Sequence, residues 1–428
     1  MIENNTLDFI MTTDQSSIIK VIGVGGGGSN AVNHMYRNGI KDVTFVICNT
    51  DNQALINSPI EKKIQLGPTI TNGLGAGNNP KIAETAANES LADIQDLLSQ
   101  NTKMVFITAG MGGGTGTGAA PVIAKVAKEM NILTVGIVTI PFAFEGPKKI
   151  AQALDGVQKM SENVDALLVI NNERLREIYP ELDLSNAFAK ADDVLKDAAK
   201  GIAEIITIHG HINVDFADVN TIMRNGGVAI MNTGYASGEN RLKKAINNAL
   251  SSPLLKNNNV KGAKKILMNF YCSKENAIKV DEITQINEFM ELVGNEVEEV
   301  IWGICYDESI EDEVKITLIA TGFGVNDVPG FANRKIEEKE EPKKKDNSDE
   351  EGTDTDTEKI SKEIPTNLFE EYYGDTKMGQ EKKADKYVNL SEQMDNEEIV
   401  IDLEKVAAFK RNQQSGSGPK PYVPKNLK

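Results

Sequence analysis

The sequence is poor in the residues that build metal sites and disulfides. It contains only three cysteines and three histidines among 428 residues, and Cys48, Cys272 and Cys305 lie far apart along the chain. We therefore expect reduced, buried thiols, a cytoplasmic protein and no metal held by side chains. Long apolar runs are missing too, since none approaches the roughly 18–20 residues of a membrane-spanning helix, and the start of the chain lacks the features of a signal peptide.

Positive charge is scarce. The 46 lysine and arginine residues face 63 aspartate and glutamate residues, for a net charge of −17, which disfavours binding to nucleic acids or anionic lipid. Much of the acid lies in 337–398, where branched apolar residues are few, so this segment is predicted to be disordered. A short apolar segment within 399–411 follows it near the end of the chain.

Glycine, in contrast, is abundant, and its most informative run is Gly-Met-Gly-Gly-Gly-Thr-Gly-Thr-Gly at 110–118. It follows an apolar segment at 104–108 and precedes a predicted helix over 119–130. The backbone N–H groups of such a loop can converge on a phosphate, with the positive end of the helix dipole behind them. A flexible linker is the alternative, but a linker is not expected between a buried strand and a helix.

Two further glycine-rich turns lie at 23–28 and 73–77. The first satisfies G-x-G-x-x-G, and Asp51 stands beyond it where a dinucleotide-binding fold places its ribose-binding acid. A nicotinamide oxidoreductase is therefore one interpretation, but three phosphate-directed turns fit a nucleoside triphosphate better, and the second half offers no clear hydride-transfer acid or base. The sequence lacks G-x-x-x-x-G-K-[ST], which excludes a P-loop NTPase.

Buried strands alternate with helices along the first 170 residues, which predicts a mostly parallel sheet covered on both faces. One long helix is predicted over 185–207, with Ser185 as its N-cap, and it is long enough to connect two domains. A smaller α/β unit follows it. The predicted strands are 18–24, 43–48, 104–108, 133–140, 166–170, 265–271 and 314–320, and the predicted helices are 30–37, 83–98, 119–130, 147–162, 185–207, 218–224, 240–250 and 283–292.

Over about residues 17–325 the chain resembles FtsZ, the bacterial tubulin-like family of cell-division GTPases. The 110–118 run is similar to the tubulin-type signature, and the segments 141–146 and 213–218 narrow the resemblance to FtsZ. The family's fold joins a parallel-sheet GTP-binding domain through a long core helix to a smaller α/β domain with a disordered tail. The resemblance implies a flexible N-terminus (1–16), a GTP-binding domain (17–184), a core helix (185–208), a C-terminal GTPase-activating domain (209–325), an acidic linker (326–396), a partner-binding peptide (397–411) and a disordered extension (412–428).

The resemblance implies that GTP or GDP binds at the glycine turns, with Mg²⁺ held mainly through phosphates and water near Thr115. Glu145 would contact the ribose, with Lys149 at the ribose or phosphate. Asn172 and Asp192 would read the guanine, and Phe188 would pack on the base. A carboxylate suits guanine because it accepts both the N1–H and the N2–H of that base. The implied nucleotide-binding residues are Gly26, Gly27, Gly28, Ser29, Asn30, Ala76, Gly77, Gly112, Gly113, Gly114, Thr115, Gly116, Thr117, Gly118, Glu145, Lys149, Asn172, Phe188 and Asp192.

Two positions depart from the family's pattern. Lys149 stands where the family usually has arginine, and a lysine keeps the charge but cannot make a planar two-pronged contact. Ser29 replaces a glycine that many relatives carry. The role of Asp193, next to the implied guanine reader, stays open between a second base contact and a solvated helix face.

Hydrolysis also requires a positioned water, and the glycine turns supply no side chain for that task. The candidates are Asn213, Asp215 and Asp218, at the start of a predicted helix. Taken alone, the two acids could simply stabilise a helix N-terminus. The resemblance implies instead that they complete the site of the next subunit in a head-to-tail filament. A structural protein that binds nucleotide without turnover is the remaining alternative.

The resemblance also implies partners. The chain would assemble with itself at the division site, on the inner face of the membrane, without binding nucleic acid or inserting into lipid. The peptide 397–411 has the family's acid-then-apolar-then-basic order and would dock on membrane-tethering and regulatory division proteins. Its core, 406–410, departs from the family's sequence, so a chance amphipathic turn is the alternative.

Overall fold

The computed structural model describes residues 17–208, 210–250, 262–293 and 297–323. The predicted N-terminal segment, acidic linker, partner-binding peptide and C-terminal extension lie outside the described residues. The strands are β1 (Ile19–Val24), β2 (Thr44–Asn49), β3 (Lys62–Gln65), β4 (Met104–Gly110), β5 (Leu133–Ile140), β6 (Ala166–Asn171), β7 (Gly227–Ser237), β8 (Lys265–Cys272), β9 (Glu299–Tyr306) and β10 (Glu313–Phe323).

Helices connect most of these strands. They are α1 (Gly25–Arg37), α2 (Asn52–Ile56), α3 (Pro68–Thr71), α4 (Pro80–Glu89), α5 (Leu91–Ser99), α6 (Gly114–Glu129), α7 (Pro147–Asn163), α8 (Asn172–Ile178), α9 (Leu184–Thr207), α10 (Phe216–Met223), α11 (Arg241–Leu250) and α12 (Val280–Val293), with a 3-10 turn at Ala143–Glu145. No helix of the described ranges is both long and apolar enough to cross a membrane.

The described strands form one sheet in the order β3-β2-β1-β4-β5-β6-β7-β10-β8-β9. The first six are parallel to their neighbours, which confirms the predicted parallel sheet. All eight residues of β5 are buried, as expected for a strand covered on both faces. Beyond β6 the sheet changes character, because β10 pairs antiparallel with both β7 and β8.

Two apolar clusters stabilise this sheet. The first packs α1, α9 and α10 against the parallel strands, and the second packs α11 and α12 against β8 and β10. The three cysteines are buried and free of disulfides, and burial raises the pKa of the Cys48 thiol to about 12. The predicted domain boundaries stay predictions.

The long helix α9 begins one residue before the predicted start. Its N-cap is Asp183, whose carboxylate accepts the N–H of Asn186 at 2.8 Å, so the capping role predicted for Ser185 is wrong. Its apolar face, with Leu195 and Ile202 fully inside the first cluster, packs toward the parallel strands. At 1.5 Å per residue the helix is about 36 Å long.

The glycine runs are helical rather than loop-like at their ends. Helices α1 and α6 start at Gly25 and Gly114, about five residues before the predicted starts. Glycine's low helix propensity is overridden because the helices approach their neighbours closely. A Cβ on Gly28 would overlap the carbonyl oxygen of Thr108, and a Cβ on Gly118 would overlap that of Pro80.

The single helix predicted over 83–98 is divided at Ser90 into α4 and α5. The Ser90 hydroxyl accepts the N–H of Gly67 at 3.0 Å, so this residue ends one helix and holds a neighbouring loop. Strands β3, β7 and β9 were not predicted. Strand β7 alternates irregularly between buried and exposed residues, which leaves it without the period-two pattern that identifies a strand.

Candidate functional site

The three glycine-rich turns meet at one edge of the parallel sheet. We call this the carboxyl edge; it consists of the segments that follow β1, β2, β3, β4, β5 and β6. Strand β1 lies between β2 and β4, so the chain turns in opposite directions from β1 and β4. Such a switch point opens a crevice at the carboxyl ends of parallel strands, where ligands of α/β sheets bind.

The turns approach one another closely at glycine residues, where a side chain would not fit. A Cβ on Gly25 would lie 2.8 Å from the backbone nitrogen of Gly116, so the first turn touches the 110–118 run. A Cβ on Gly114 would lie 2.9 Å from the nitrogen of Asn79 and 3.1 Å from the Ala76 Cβ, so the 73–77 turn touches it from another side. The structure therefore places the three predicted phosphate-directed turns around one hollow.

The 73–77 turn is held by the segment after β2. The N–H of Gly75 donates to the Thr50 carbonyl oxygen at 3.2 Å, and the N–H of Asn52 donates to that of Gly73 at 3.0 Å. The Thr50 hydroxyl also lies 2.7 Å from the Thr115 hydroxyl. Thr50 thus connects two turns, a role that nothing in its sequence context indicates.

Helices α1 and α6 present uncapped N-termini to this hollow. Neither has a side-chain cap or an acidic residue in its first turn. The same holds for α3 and α7, whereas α2, α4, α8, α9 and α10 all have side-chain caps. The first N–H groups of a helix have no partner within the helix. Two adjacent uncapped N-termini therefore form a site suited to an anion.

The residues of the 110–118 run differ in what they can offer. The N–H of Gly112 already donates to the Thr117 hydroxyl at 2.9 Å. Gly116, Thr117 and Gly118 are buried beneath the loop, against β4 and α4. Gly113 and Thr115 are partly exposed, whereas Gly114 between them is buried, so Gly113 and Thr115 are the accessible residues at the start of α6.

Open space lies directly over two glycines. A Cβ added to Gly26 or Gly113 would meet no atom within 4 Å, and neither residue has a positive φ. Gly77 also faces open space, at a φ of +57°. Gly26, Gly27 and Asn30 are exposed, whereas Gly28 and Ser29 are buried. The Ser29 hydroxyl has no hydrogen-bond partner among the described residues.

The segment after β5 borders the same hollow. Glu145 accepts the N–H of Phe142 at 2.9 Å through one carboxylate oxygen, and the other lies 3.3 Å from the Lys149 Nζ. A Cβ on Gly112 would lie 3.0 Å from the Lys149 carbonyl oxygen, so α7 packs directly on the 110–118 run. The buried Glu173 holds this segment from behind by accepting the N–H of Ala143 at 2.9 Å. Sequence reasoning missed Glu173.

Three predicted base-contacting residues lie farther along the carboxyl edge. The Asn172 Oδ1 is buried without a hydrogen-bond partner among the described residues. The ring of Phe188 stands edge-on to that of Phe142, with centroids 5.1 Å apart, yet it stays 41% exposed. Burial raises the pKa of Asp192 to about 6. A buried acceptor, an exposed ring and a carboxyl group suit a planar base with N–H donors.

Asp193 faces α1. Its carboxylate lies 2.9 Å from the His34 Nε2 and accepts from the Lys196 Nζ at 3.0 Å. Burial opposes ionisation of Asp193, but the hydrogen bonds from His34 and Lys196 outweigh it and lower the pKa of this carboxyl. Asp193 therefore links α9 to α1 beside Asp192. His34 was not predicted, because its partner is 159 residues away.

The predicted catalytic residues within 213–218 lie away from the carboxyl edge. We call Asn213, Asp215 and Asp218 the acidic corner. Asp215 is the N-cap of α10 and accepts the N–H groups of Ala217 and Asp218 at 2.7 and 3.1 Å. Asp218 in return accepts the N–H of Asp215 at 2.9 Å. Asn213 accepts the N–H of Gly210 at 3.1 Å.

Helix α10 packs at the amino ends of the parallel strands. Arg224, which ends it, donates to the carbonyl oxygen of Asn131 and to the carboxylate of Asp165, both at 3.3 Å, and these residues precede β5 and β6. The acidic corner follows the last turn of α9, whereas Phe188 in the first turns of α9 contacts the carboxyl edge. The structure therefore does not bring the acidic corner to the glycine turns of its own chain.

Metal ligands of the usual kind are sparse. The described part of the chain contains no group of three or more histidine, cysteine, aspartate or glutamate residues that could hold a metal ion. The hydroxyls of Thr50 and Thr115, 2.7 Å apart, are the oxygen atoms at the turns that fit a hard cation such as Mg²⁺, provided that phosphate oxygens complete its coordination.

Two family models match the sequence. The GTPase domain of the Tubulin/FtsZ family matches residues 18–180, and the C-terminal domain of the FtsZ family matches residues 227–324. The chain is 48% identical over 404 residues to the cell division protein FtsZ of Porphyromonas gingivalis, covering 92% of this chain and 85% of that protein. It is 49% identical to the FtsZ of Pseudomonas aeruginosa, covering 72% and 78%.

Solved structures show the same similarity. An empty FtsZ dimer from M. jannaschii is 41% identical, with a TM-score of 0.65 over 72% of this chain and 89% of that one. A CetZ2 protofilament from Haloferax volcanii with bound GTPγS shares the fold at 19% identity, with a TM-score of 0.59 over 71% of this chain and 92% of that one.

Proposed function

Because this chain belongs to the FtsZ family of tubulin-like cell-division GTPases, we propose that its active site is shared between two subunits. The carboxyl edge of one subunit binds GTP, and the acidic corner of the next subunit completes the site. The observation that supports this most directly is the separation of the two within one chain, since α10 ends at the amino ends of β5 and β6.

The phosphates of GTP or GDP lie at the N-termini of α1 and α6. Gly26 and Gly27 approach them from one side, Gly113 to Thr115 from another, and Ala76 and Gly77 from a third. The absence of caps and first-turn acids on α1 and α6 supports this assignment, because a bound anion satisfies the first N–H groups of both helices. Buried Gly116, Thr117 and Gly118 shape the loop, and Gly28 and Ser29 lie under the first turn.

Glu145 and Lys149 contact the ribose, and the guanine lies near Phe188, Asn172 and Asp192. The Asn172 Oδ1, which has no hydrogen-bond partner in the described part of the chain, and the carboxylate of Asp192 are acceptors for the guanine N–H groups, which adenine lacks in that arrangement. Asp193 is occupied by His34 and Lys196, so it orients α9 and does not contact the base.

Mg²⁺ would be held mainly by phosphate oxygens and water, and the Thr115 hydroxyl is the protein group that would help to hold it. When bound, this ion offsets negative charge on the phosphates. The protein's own contribution is to position the phosphate chain with backbone N–H groups and to exclude competing side chains from the hollow.

The acidic corner supplies the side chains that the glycine turns lack. Asp215 and Asp218 each keep carboxylate lone pairs beyond those used in capping α10, and they can accept protons from the attacking water and orient it. A head-to-tail contact that does not close produces an open filament, and every contact in it contains one complete site. Hydrolysis is therefore coupled to assembly at the division site.

The peptide 397–411 serves membrane-tethering and regulatory division proteins. Its order of acidic, apolar and basic residues supports this, since a short segment with that pattern can dock its apolar side chains in a groove of a partner. The chain reaches the membrane through such partners and not by insertion.

Complementation between two inactive variants tests the shared site. Gly113→Ala blocks the nucleotide hollow and Asp218→Ala removes an acid, so we expect each alone to lose at least about 10²-fold in GTP turnover. In a mixed filament, a contact between the hollow of the Asp218→Ala chain and the acidic corner of the Gly113→Ala chain is intact. Random mixing of equal amounts then restores up to about a quarter of wild-type turnover.

The measurement is phosphate release from the mixture, with co-sedimentation of differently labelled chains as the check on mixing. Lys125→Ala, on the exposed face of α6, is the control variant, expected to behave as wild type alone and in mixtures. Co-assembled mixtures with no more turnover than the two variants separately would mean that each chain uses its own acids.

A further inference from the structure

Gln152, in the second turn of α7, contacts the phosphate-directed loop without having a predicted role. Its side-chain Nε2 donates to the carbonyl oxygen of Gly112 at 3.1 Å and to that of Gly113 at 3.0 Å. The residue is half-buried, and Ala153 and Gly156 beside it pack on the same loop, since a Cβ on Gly156 would lie 2.5 Å from the Thr117 Cγ2. One face of α7 therefore supports the 110–118 run.

These two hydrogen bonds determine where the loop's donors point. In a trans peptide the C=O and the N–H point in opposite directions, and the described chain has no cis peptide bonds. The carbonyl groups of Gly112 and Gly113 face α7, so the N–H groups of Gly113 and Gly114 face away from it. The third nearby donor, the N–H of Gly112, is already bound to Thr117.

The carbonyl group of Gly113, the N-cap of α6, is also directed by that helix, whereas no side chain of the loop holds the carbonyl group of Gly112. Gly112, Gly113 and Gly114 are three consecutive residues without side chains, and Gly112 has a φ of +101°. Glycine adopts positive and negative φ about equally readily, so a peptide group between two glycines can rotate at low cost. A hydrogen-bond donor outside the loop that bonds to two successive carbonyl oxygens removes that freedom.

We propose that Gln152 is a positioning residue of the GTPase, which holds the N–H groups of Gly113 and Gly114 toward the nucleotide phosphates. The inference rests on the proposed function insofar as the 110–118 run binds phosphate. Gln152 does not touch the nucleotide in this scheme; it acts through the two peptide groups. Its loss weakens binding of GDP and GTP alike, because the same donors serve both nucleotides, and leaves the acidic corner unchanged.

Three variants of similar size separate this role from packing. Gln152→Met keeps the length and apolar stem but removes the donor, and we expect the dissociation constant for GDP to rise about tenfold, as for two lost hydrogen bonds. Gln152→Glu replaces the donor with a carboxylate that repels both carbonyls and the phosphates, and should weaken GDP binding further. Gln152→Lys keeps a donor and should bind more tightly than Gln152→Met.

The experiment is equilibrium binding of GDP to the full-length chain, with thermal unfolding in parallel and GTP turnover for the split between KM and kcat. Gln158→Met and Gln158→Glu are the matched controls, since Gln158 is a half-buried residue of the same helix beyond the loop contact. We expect the Gln158 variants to bind as wild type, and the Gln152 variants to raise KM with little change in kcat.

Wild-type affinity in Gln152→Met would overturn the inference, as would equal losses in the Gln152 and Gln158 variants or a loss matched by Gln152→Lys. Gly113→Ala is measured alongside. If that variant loses GDP binding while Gln152→Met retains it, the phosphate site stands and the positioning role is wrong. If both bind GDP normally, the proposed phosphate site itself is wrong.

Discussion

The carboxyl edge and the acidic corner are both built on helix N-termini, with opposite chemistry. At the carboxyl edge, α1 and α6 begin with glycine, without a side-chain cap and without an acid in the first turn. At the acidic corner, α10 begins with two carboxylates that cap each other's backbone N–H groups. One region has donors to offer an anion, and the other has satisfied its donors and retains negative charge.

This difference shows how binding and chemistry are divided along the molecule. A phosphate chain and a carboxylate pair repel each other. Placing the two regions at opposite ends of α9 avoids this electrostatic repulsion within a single chain. In the shared site that we propose, the two come together only where two chains meet. Variants at the two ends should therefore have opposite signatures, one in turnover and the other in binding.

The largest effect is expected at the acidic corner. Asp215→Ala removes both the charge and the N-cap, so turnover should fall about 10²–10⁴-fold and the free energy of unfolding by about 0.5–2 kcal/mol. Asp215→Asn is the matched variant, because asparagine is an equally good N-cap without the charge. It should keep the stability and lose the turnover. Phosphate release, GTP binding and thermal unfolding measure the three quantities, and full turnover in Asp215→Asn would assign this residue to capping alone.

The opposite signature is expected at the carboxyl edge. Gly26→Ala places a methyl group in open space that we assign to phosphate, so GTP affinity should fall by about 10²-fold, or about 2.7 kcal/mol. Stability should stay the same or rise by up to about 1 kcal/mol, because alanine is the better helix former. Equilibrium binding and thermal unfolding check this. Undiminished binding in a stable Gly26→Ala variant would remove the first turn from the site.

A smaller effect is expected from pH at the base-binding end. The raised pKa of Asp192, about 6, means that this carboxyl takes up a proton as the pH falls from 7 to 5. The protonated form cannot accept from both guanine N–H groups, so GDP affinity should fall about tenfold over that interval.

Asp192→Asn serves as the control for that prediction, because its carbonyl oxygen still accepts but does not titrate. The charged groups around Asp192 are His34 on α1 and Asp193 on the same helix, and both remain in this variant. Titrations of GDP affinity against pH should therefore be steeper for the wild type than for Asp192→Asn. Parallel curves would assign the pH dependence to other groups.

Much of the parallel half of the sheet could be predicted because its signals are local. The apolar runs of β1, β4 and β5 lie between glycine turns and helical patterns, and their bounds agree with the structure to within two residues. Strand β7 was missed because it is half-buried and its glycine, asparagine and serine residues interrupt the alternation of apolar and polar residues. Strand β9 is rich in apolar residues with high strand propensity, and this local signal was overlooked.

The residue types of the candidate site were also predicted from the sequence, whereas the hydrogen bonds that hold those residues in place were not. Glycine turns and an acidic pair are residue types whose chemistry can be read from the sequence, whereas Asp192 was proposed as the guanine reader only through the resemblance to FtsZ. Thr50, Glu173, Gln152 and His34 have no such signature, because each acts through a hydrogen bond to a residue at least 30 positions away. Contacts of that range depend on how the strands are ordered.

The sequence by itself determined the phosphate chemistry, the parallel sheet and the family of this protein, since glycine spacing and apolar periodicity act over a few residues. Only the tertiary structure decided that the three turns share one hollow, that α7 holds the carbonyl groups of Gly112 and Gly113, and that the acidic corner lies at the other end of α9. These features follow from strand order and helix length, which bring distant residues together and keep others apart.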